Sequence, residues 1–364
     1  MSSRKRCGCL ELFHGNHITR HILLIGENMT SDNTQWKLIA RPEGEAKRAD
    51  FEVTSSPIPT PGPGEVLIKN LYMLVPPSMR LWMNEKESYF PPAALGEVMT
   101  GITLGVVTES DASDLPVGTY VNGMGGWQLW SVALAASLQK LDPHPDIPLE
   151  LYNTVLDVQG LTAYCGITDI CDPKPGKTLV VSAAAGSVGS LACQIAKHRG
   201  SKVIGIAGGA EKCAWLVNEC GIDAAIDYKS EDVAERLDAL APEGIDAIFE
   251  NVGGEIMDAC LERINDGAQI ALCGLISSYN NDTTQRTSAL MSLVNRGARL
   301  QGFLVKDYLH LHGAMLQELQ PLVLDGTLKY QVDVLDGLDN TLEAMSRIYS
   351  GKNKGIQLIR INQE

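Results

Sequence analysis

The sequence predicts an α/β protein in which a doubly wound parallel sheet is joined to a second, β-rich domain. Three observations lead there. From residue 154 onward, short apolar runs alternate with segments of helical periodicity. A glycine-bearing turn follows the first of those runs. Before residue 150 the chain is strand-like and punctuated by Gly and Pro. A length of 364 residues fits two domains. Hydrophobic residues at 45% and charged residues at 20% are ordinary for a globular chain. The 44 acidic and 30 basic residues give a net charge of -14, which repels phosphate backbones and argues against a nucleic-acid partner. No run of eighteen or more apolar residues is present, so no membrane-spanning helix is expected.

Residues 1–30 carry Arg4-Lys5-Arg6 but no apolar core and no small-residue cleavage site, so they do not read as a signal peptide. A basic, acid-poor stretch also suits a transit peptide. The expectation is a disordered N-terminal extension without chemistry, and Cys7-Gly8-Cys9 with His14, His17 and His21 is read as part of it rather than as a metal site. Residues 31–153 and 320–364 are assigned to the β-rich domain. Its turn cluster 58–65 precedes a strand at 66–71, and further strands are expected at 101–107 and 117–123. A helix is expected over 154–169, opening the second domain, 154–319. Strands follow at 178–182, 202–207, 224–228, 245–250 and 269–274, with helices at 187–199, 211–220 and 231–240 between them. Thr178-Leu179-Val180-Val181-Ser182 has the composition of a strand buried on both faces. A helix near 315–325 leads to a strand at 328–332, and the terminal strand 356–361 returns to the first domain.

After the first of these apolar strands comes Ala183-Ala184-Ala185-Gly186-Ser187-Val188-Gly189. A dinucleotide fingerprint places glycines at the positions of Ala184, Gly186 and Gly189, so the first is replaced here. Gly186 lets backbone approach a pyrophosphate, Gly189 lets the helix pack on its strand, and the first amides of the helix face the anion. The domain therefore reads as a Rossmann fold. The second strand ends in Ala207-Gly208-Gly209 with no acid for a ribose 2′-hydroxyl; Lys212 follows, and Tyr228-Lys229 ends the third strand. A cation and a phenol there suit a 2′-phosphate, so NADPH is expected in preference to NADH. The competing reading of Lys212 is a solvated lysine at a helix start.

Nine cysteines are present, an odd number, with none between residues 10 and 164. They read as reduced thiols of a cytoplasmic protein. No His lies between 22 and 143, and Leu95-Gly96-Glu97 stands where a Gly-His-Glu motif would be sought. The β-rich stretch therefore lacks the soft ligands of a catalytic zinc.

At this point the chain resembles the zinc-independent medium-chain reductases, in particular the prostaglandin reductase and curcumin reductase (2-alkenal reductase) group. The carriers are residues 61–72 (PGPGEVLIKNLY), 95–101 (LGEVMTG), 126–128 (GWQ), 160–164 (GLTAY), 183–190 (AAAGSVGS), 208–213 (GGAEKC), 223–228 (DAAIDY), 250–254 (ENVGG), 273–280 (CGLISSYN) and 351–355 (GKNKG). The resemblance implies a GroES-like catalytic domain, a homodimer, and NADPH-dependent reduction of the carbon–carbon double bond of small enals and enones. It implies that Gly186, Ser187, Val188, Gly189, Lys212, Tyr228, Asn251, Cys273, Gly274, Ser277, Phe303, Val305 and Asn353 touch the cofactor. It also implies that Tyr279 is held near the substrate carbonyl as the catalytic residue. Several positions depart from the pattern: Pro76 and Ser78 replace an acid and a tyrosine, Gln159 a proline, Glu250 an aspartate, Trp130 a tyrosine, and Lys306 an apolar or aromatic residue.

The implied chemistry needs a hydride donor and a means of holding charge that develops on the substrate carbonyl. Tyr279 and a ribose hydroxyl can both donate to it, and Asn251 and Asn353 would orient ribose and nicotinamide. Competing readings make Asn251 a turn residue and Tyr279 a half-buried loop aromatic. Trp127 either walls the substrate cleft or sits in the core. Two other functions use the same features: a quinone or carbonyl reductase, and an NADPH-binding protein without turnover.

Overall fold

The structure, a computed structural model, describes residues 32–86, 90–280, 287 and 289–363. The N-terminal extension expected over residues 1–30, with its Cys and His cluster, lies outside the described residues. Asp32–Glu364 forms one compact unit.

In chain order, β1 (Asp32–Leu38) and β2 (Phe51–Pro57) form an antiparallel ribbon. Then come β3 (Glu65–Leu74), the short α1 (Met79–Trp82), β4 (Ile102–Ser110), β5 (Tyr120–Gly123), β6 (Trp130–Leu134) and β7 (Gln139–Lys140). Helix α2 (Val158–Cys165) leads to β8 (Thr178–Ser182), α3 (Ser187–His198), β9 (Lys202–Ala207), α4 (Ala210–Asn218), β10 (Ala224–Asp227), α5 (Val233–Leu240) and β11 (Ile245–Glu250). The chain continues through α6 (Gly254–Leu261), β12 (Ile264–Leu272), α7 (Leu290–Arg296), β13 (Arg299–Gly302), α8 (His312–Leu324), β14 (Val332–Asp336), α9 (Thr341–Ser350) and β15 (Ile356–Arg360).

One sheet runs β10-β9-β8-β11-β12-β13, every neighbour parallel. The order reverses between β8 and β11, and a doubly wound sheet binds its ligand beyond the carboxyl ends of the strands at that point. All five residues of β8 are buried, as an apolar strand covered by helices on both faces requires. The second sheet runs β14-β15-β3-β4-β5-β7, with β6 also on β3. Strand β15 thus lies between β14 and β3.

Local differences from the expected elements have identifiable causes. The strand expected at 117–123 begins only at Tyr120, because Gly118 takes φ 89 and the chain turns through Pro116–Thr119. The single helix expected over 154–169 is α2 followed by one wide π-helical segment, Gly166–Cys171. The strand expected at 328–332 starts at Val332. Before it, Leu328 is buried in the core and the Lys329 amide donates to Gln194 Oε1 on α3 at 2.7 Å.

Candidate active site

A cavity of about 760 Å³ opens along the carboxyl edge of the parallel sheet, where β3, α1 and α9 of the other sheet's side face it. Every cofactor candidate from Gly186 to Asn353 lines it, and so does Tyr279. Trp127 does not. It is fully buried and stacks on Phe51 at 5.1 Å, with Trp36 tilted against it at 6.1 Å. The cleft-wall reading of Trp127 is therefore corrected to the core reading. The indole is apolar bulk that the β1–β2 ribbon covers, its backbone amide bonded to the Met99 carbonyl.

The turn after β8 is built for close approach. Gly186 caps α3 at φ -80, ψ 176 and offers no side-chain oxygen to the first amides of the helix, so those amides face the cavity. A Cβ on Gly189 would run into the Ala183 carbonyl, so α3 sits on its turn only with glycine there. The replaced first glycine, Ala184, is buried without strain; the left-handed residue is Ala183, φ 47, one place earlier. Gly186 also forms an isolated parallel bridge to Gly355, tying the turn to the segment that carries Asn353. Asn353 Nδ2 donates to the Gly355 carbonyl at 2.8 Å.

At the far end of the edge, Lys212 is not a solvated lysine. Its Nζ donates to the Gly351 carbonyl at 2.8 Å. Burial, then the neighbouring Lys229, holds its pKa below the ordinary lysine value. A Cβ on Gly208 would lie 2.9 Å from the Tyr228 ring and the Lys229 stem, so both side chains close over a bare backbone. Asp227 shapes this corner by accepting from the Gly209 and Lys229 amides at 2.7 and 3.1 Å, bonds that hold its carboxyl below the usual range. Glu211 is turned away and paired with Lys354 at 2.6 Å. The corner presents two ammonium groups and a phenol, a set suited to a phosphate rather than to a ribose diol.

The floor lies at the switch point. The Asn251 amide donates to Ser182 Oγ at 2.8 Å and Asn251 Nδ2 to the Ser182 carbonyl at 2.7 Å, so Asn251 ties the ends of β8 and β11 while lining the cavity. Beneath it, buried Glu250 accepts from the Val252 and Gly253 amides at 2.6 and 2.7 Å; burial raises its carboxyl above the usual range, and those amides oppose the rise. Tyr279 folds back over its own loop. Its hydroxyl accepts the Leu275 N–H at 3.2 Å and would lie 2.8 Å from a Cβ at Gly274. Gly274 must therefore stay bare for Tyr279 to hold this position. Cys273, Ser277, Phe303 and Val305 line the same end. Burial pushes the Cys273 thiol up to about 12, so it is neutral and unreactive.

The remaining space is apolar and was not legible as a site in the sequence. Trp82 on α1, Phe90, Ile102 on β4, Met124, Thr162 on α2 and Tyr349 on α9 line it. Each comes from a different segment, so no motif marks them. Tyr349 donates its hydroxyl to the Pro77 carbonyl at 2.6 Å, and burial raises its pKa far above that of an ordinary phenol. Among the described residues, no group of three or more His, Cys, Asp or Glu has the placement to hold a metal ion.

A doubly wound sheet with a glycine-bearing strand–helix turn, sharing one cleft with a mixed, largely antiparallel sheet, is the architecture of a dinucleotide-dependent oxidoreductase. Comparison with known proteins agrees. Residues 34–141 match the family described as the N-terminal domain of oxidoreductase, and residues 187–320 the family described as zinc-binding dehydrogenase. The chain is 39% identical to an NADPH-dependent curcumin reductase of Escherichia coli, over 90% of this chain and 97% of that protein. It is 37% identical to an NADP(+)-dependent 2-alkenal reductase of Nicotiana tabacum, over 88% and 95%. Among solved structures it resembles CurA from Vibrio vulnificus in complex with NADPH, with a TM-score of 0.86 and 38% identity over 91% of this chain and all of that one. The chain belongs to the zinc-independent group of the medium-chain dehydrogenase/reductase family.

Proposed function

We propose that this chain reduces the carbon–carbon double bond of α,β-unsaturated ketones and aldehydes with NADPH, placing hydride on the β-carbon. The observation that carries this reading is continuity. One cavity runs from the Lys212–Tyr228 corner, past the amides of α3, to Tyr279 and an apolar, aromatic-walled space. The relatives described as a curcumin reductase and a 2-alkenal reductase support the same chemistry.

When bound, NADPH supplies the hydride. Lys212 and Tyr228 would hold the 2′-phosphate, the amides of Ser187, Val188 and Gly189 would receive the pyrophosphate, and Asn251, Asn353, the 273–277 loop, Phe303 and Val305 would border the nicotinamide end. Tyr279 donates a hydrogen bond from its hydroxyl to the substrate carbonyl and keeps its proton while the enolate forms. Because that oxygen already accepts the Leu275 N–H, the hydroxyl is polarised toward donation. Tyr349, with its raised pKa and its bond to Pro77, does not serve as the acid. The last proton comes from water or from Tyr279.

In this reading residues 31–153 and 320–364 form the β-rich catalytic domain and 154–319 the dinucleotide-binding domain, with Asn353 reaching the cofactor from the first and Tyr279 the substrate from the second. A homodimer suits the exposed apolar side chains of α7, where Leu290, Met291 and Val294 are 49%, 61% and 71% exposed beside the edge strand β13. The free thiols, most of them buried, suit a reducing cytoplasm.

Following NADPH oxidation across enals, enones and quinones tests the reading. Consumption with enones, and a product saturated between Cα and Cβ, is the expected result. Consumption with quinones alone makes the chain a quinone reductase, and tight NADPH binding with no turnover across the panel makes it a non-catalytic binder.

A further inference from the structure

The lining of the cavity holds two charged side chains among the described residues, Lys212 and Lys306, and no Asp, Glu or Arg. In a chain of net charge -14 this is a local reversal of sign. The two cations stand at opposite ends of the sheet edge. Lys212 follows β9 and Lys306 follows β13, with β8, β11 and β12 between those strands. At about 4.8 Å per inter-strand step, β9 and β13 are separated by about 19 Å.

That separation divides their tasks. The 2′-phosphate corner uses Lys212, and the pyrophosphate faces the turn after β8, three strand steps from β13. A four-carbon lysine stem does not bridge such a gap. Lys306 therefore lies beyond the phosphates, at the end shared by the nicotinamide and the substrate. Among the described residues it has no hydrogen-bond or ion-pair partner. Its neighbour Asp307 is exposed and outside the lining. The resemblance implies an apolar or aromatic residue at this position, where this chain has Lys306.

We infer that Lys306 is a specificity residue that selects substrates bearing a carboxylate remote from the reacting double bond. The inference rests on the reading of the cleft as an enone reductase and sharpens it. The enone end enters toward Tyr279 along the apolar walls, and the carboxylate stays at the partly hydrated mouth, where Lys306 meets it. A cation beside a low-dielectric wall attracts an anion more strongly than it does in open water.

The test compares an enone carrying a carboxylate at the far end of a short alkyl chain with its methyl ester, for wild type, Lys306→Met and Lys306→Arg. Wild type is expected to show a KM about 2- to 5-fold lower for the acid, the size of an exposed ion pair. Lys306→Met should bring the acid-to-ester ratio near one, and Lys306→Arg should restore it. Equal KM values for acid and ester in wild type, or a ratio that persists in Lys306→Met, overturns the inference. Titration of the two corresponding saturated ketones into the NADP+-loaded protein supplies a readout that needs no turnover. A Lys306-dependent preference there, with neither enone reduced, upholds the assignment of Lys306 and overturns the enone-reductase reading. No preference in that titration overturns the assignment itself.

Discussion

The two ends of the cleft are built by different means. The cofactor end is made by backbone: turns directly after β8, β9 and β11, with Gly186, Gly189 and Gly208 placed where a side chain would collide or block approach. The substrate end is made by side chains from α1, β4, α2 and α9 and the loops around Phe90 and Met124. The first is a local property of short stretches of sequence, and the second exists only after the two sheets have met. A substitution at the cofactor end should therefore act through one ligand, whereas one at the substrate end should act through packing.

The largest expected effect sharpens that contrast from behind the substrate end. Trp127→Ala removes a buried indole stacked on Phe51 and should cost about 3–5 kcal/mol of stability, read as a lower denaturation midpoint. Intact stability with lost turnover would return Trp127 to the cleft wall. Next comes Asp157, just before α2. Its carboxyl is buried, accepts from Asn122 Nδ2 at 3.0 Å and faces His312 Nε2 at 3.7 Å. Burial pushes it up to about 6, against the lowering effect of His312. A carboxyl that binds its proton more tightly when folded favours the folded state at low pH, and that advantage is lost as pH rises from about 4 to about 6. Asp157→Asn should remove a pH-dependent term of about 2–3 kcal/mol across that window. Parallel urea curves for both proteins at every pH would rule this out.

At the meeting point of the two ends, Tyr279→Phe keeps the ring and deletes the donor. Enone turnover should fall by about tenfold to a hundredfold, with NADPH affinity unchanged. If affinity falls and turnover does not, Tyr279 belongs to the cofactor end. The smallest effect is expected at the corner. Lys212→Ala should weaken NADPH binding by about tenfold and leave NADH nearly unaffected, measured by fluorescence titration. Equal losses for both cofactors would make the bond from Lys212 to Gly351 purely structural.

The same contrast decides what the sequence disclosed. The parallel strands were legible because residues such as Val180, Val181 and Ile204 form continuous apolar runs, and the cofactor residues because glycine and lysine occur at fixed offsets from those runs. The β1–β2 ribbon was not: DNTQWKL and FEVTSSP are mostly polar, and the ribbon is anchored to the larger sheet by remote bonds such as Asn33 with Trp130 on β6. Helices α6, α7 and α9 and the short edge strand β13 were missed for the same reason, since tertiary packing rather than a long periodic pattern defines them. Tyr349 illustrates the limit for the site. Its sequence context is that of an ordinary helix, and its place beside Pro77 depends on contact between segments far apart in the chain. Asn251 was legible as a residue, but not its link to Ser182 across the switch point.

The position of β15 between β14 and β3 has a consequence for synthesis. An internal strand of that sheet is synthesised long after its neighbour β3, because most of the chain separates the two. At about 5–20 residues per second, roughly a quarter of a minute to a minute passes between the appearance of β3 and that of β15. Throughout that interval the Tyr72–Leu74 part of β3 has one pairing edge open, while Glu65–Lys69 already has β6 beside it. A pairing edge left open that long invites association between nascent chains, and truncation before Ile356 removes an interior strand rather than an edge strand.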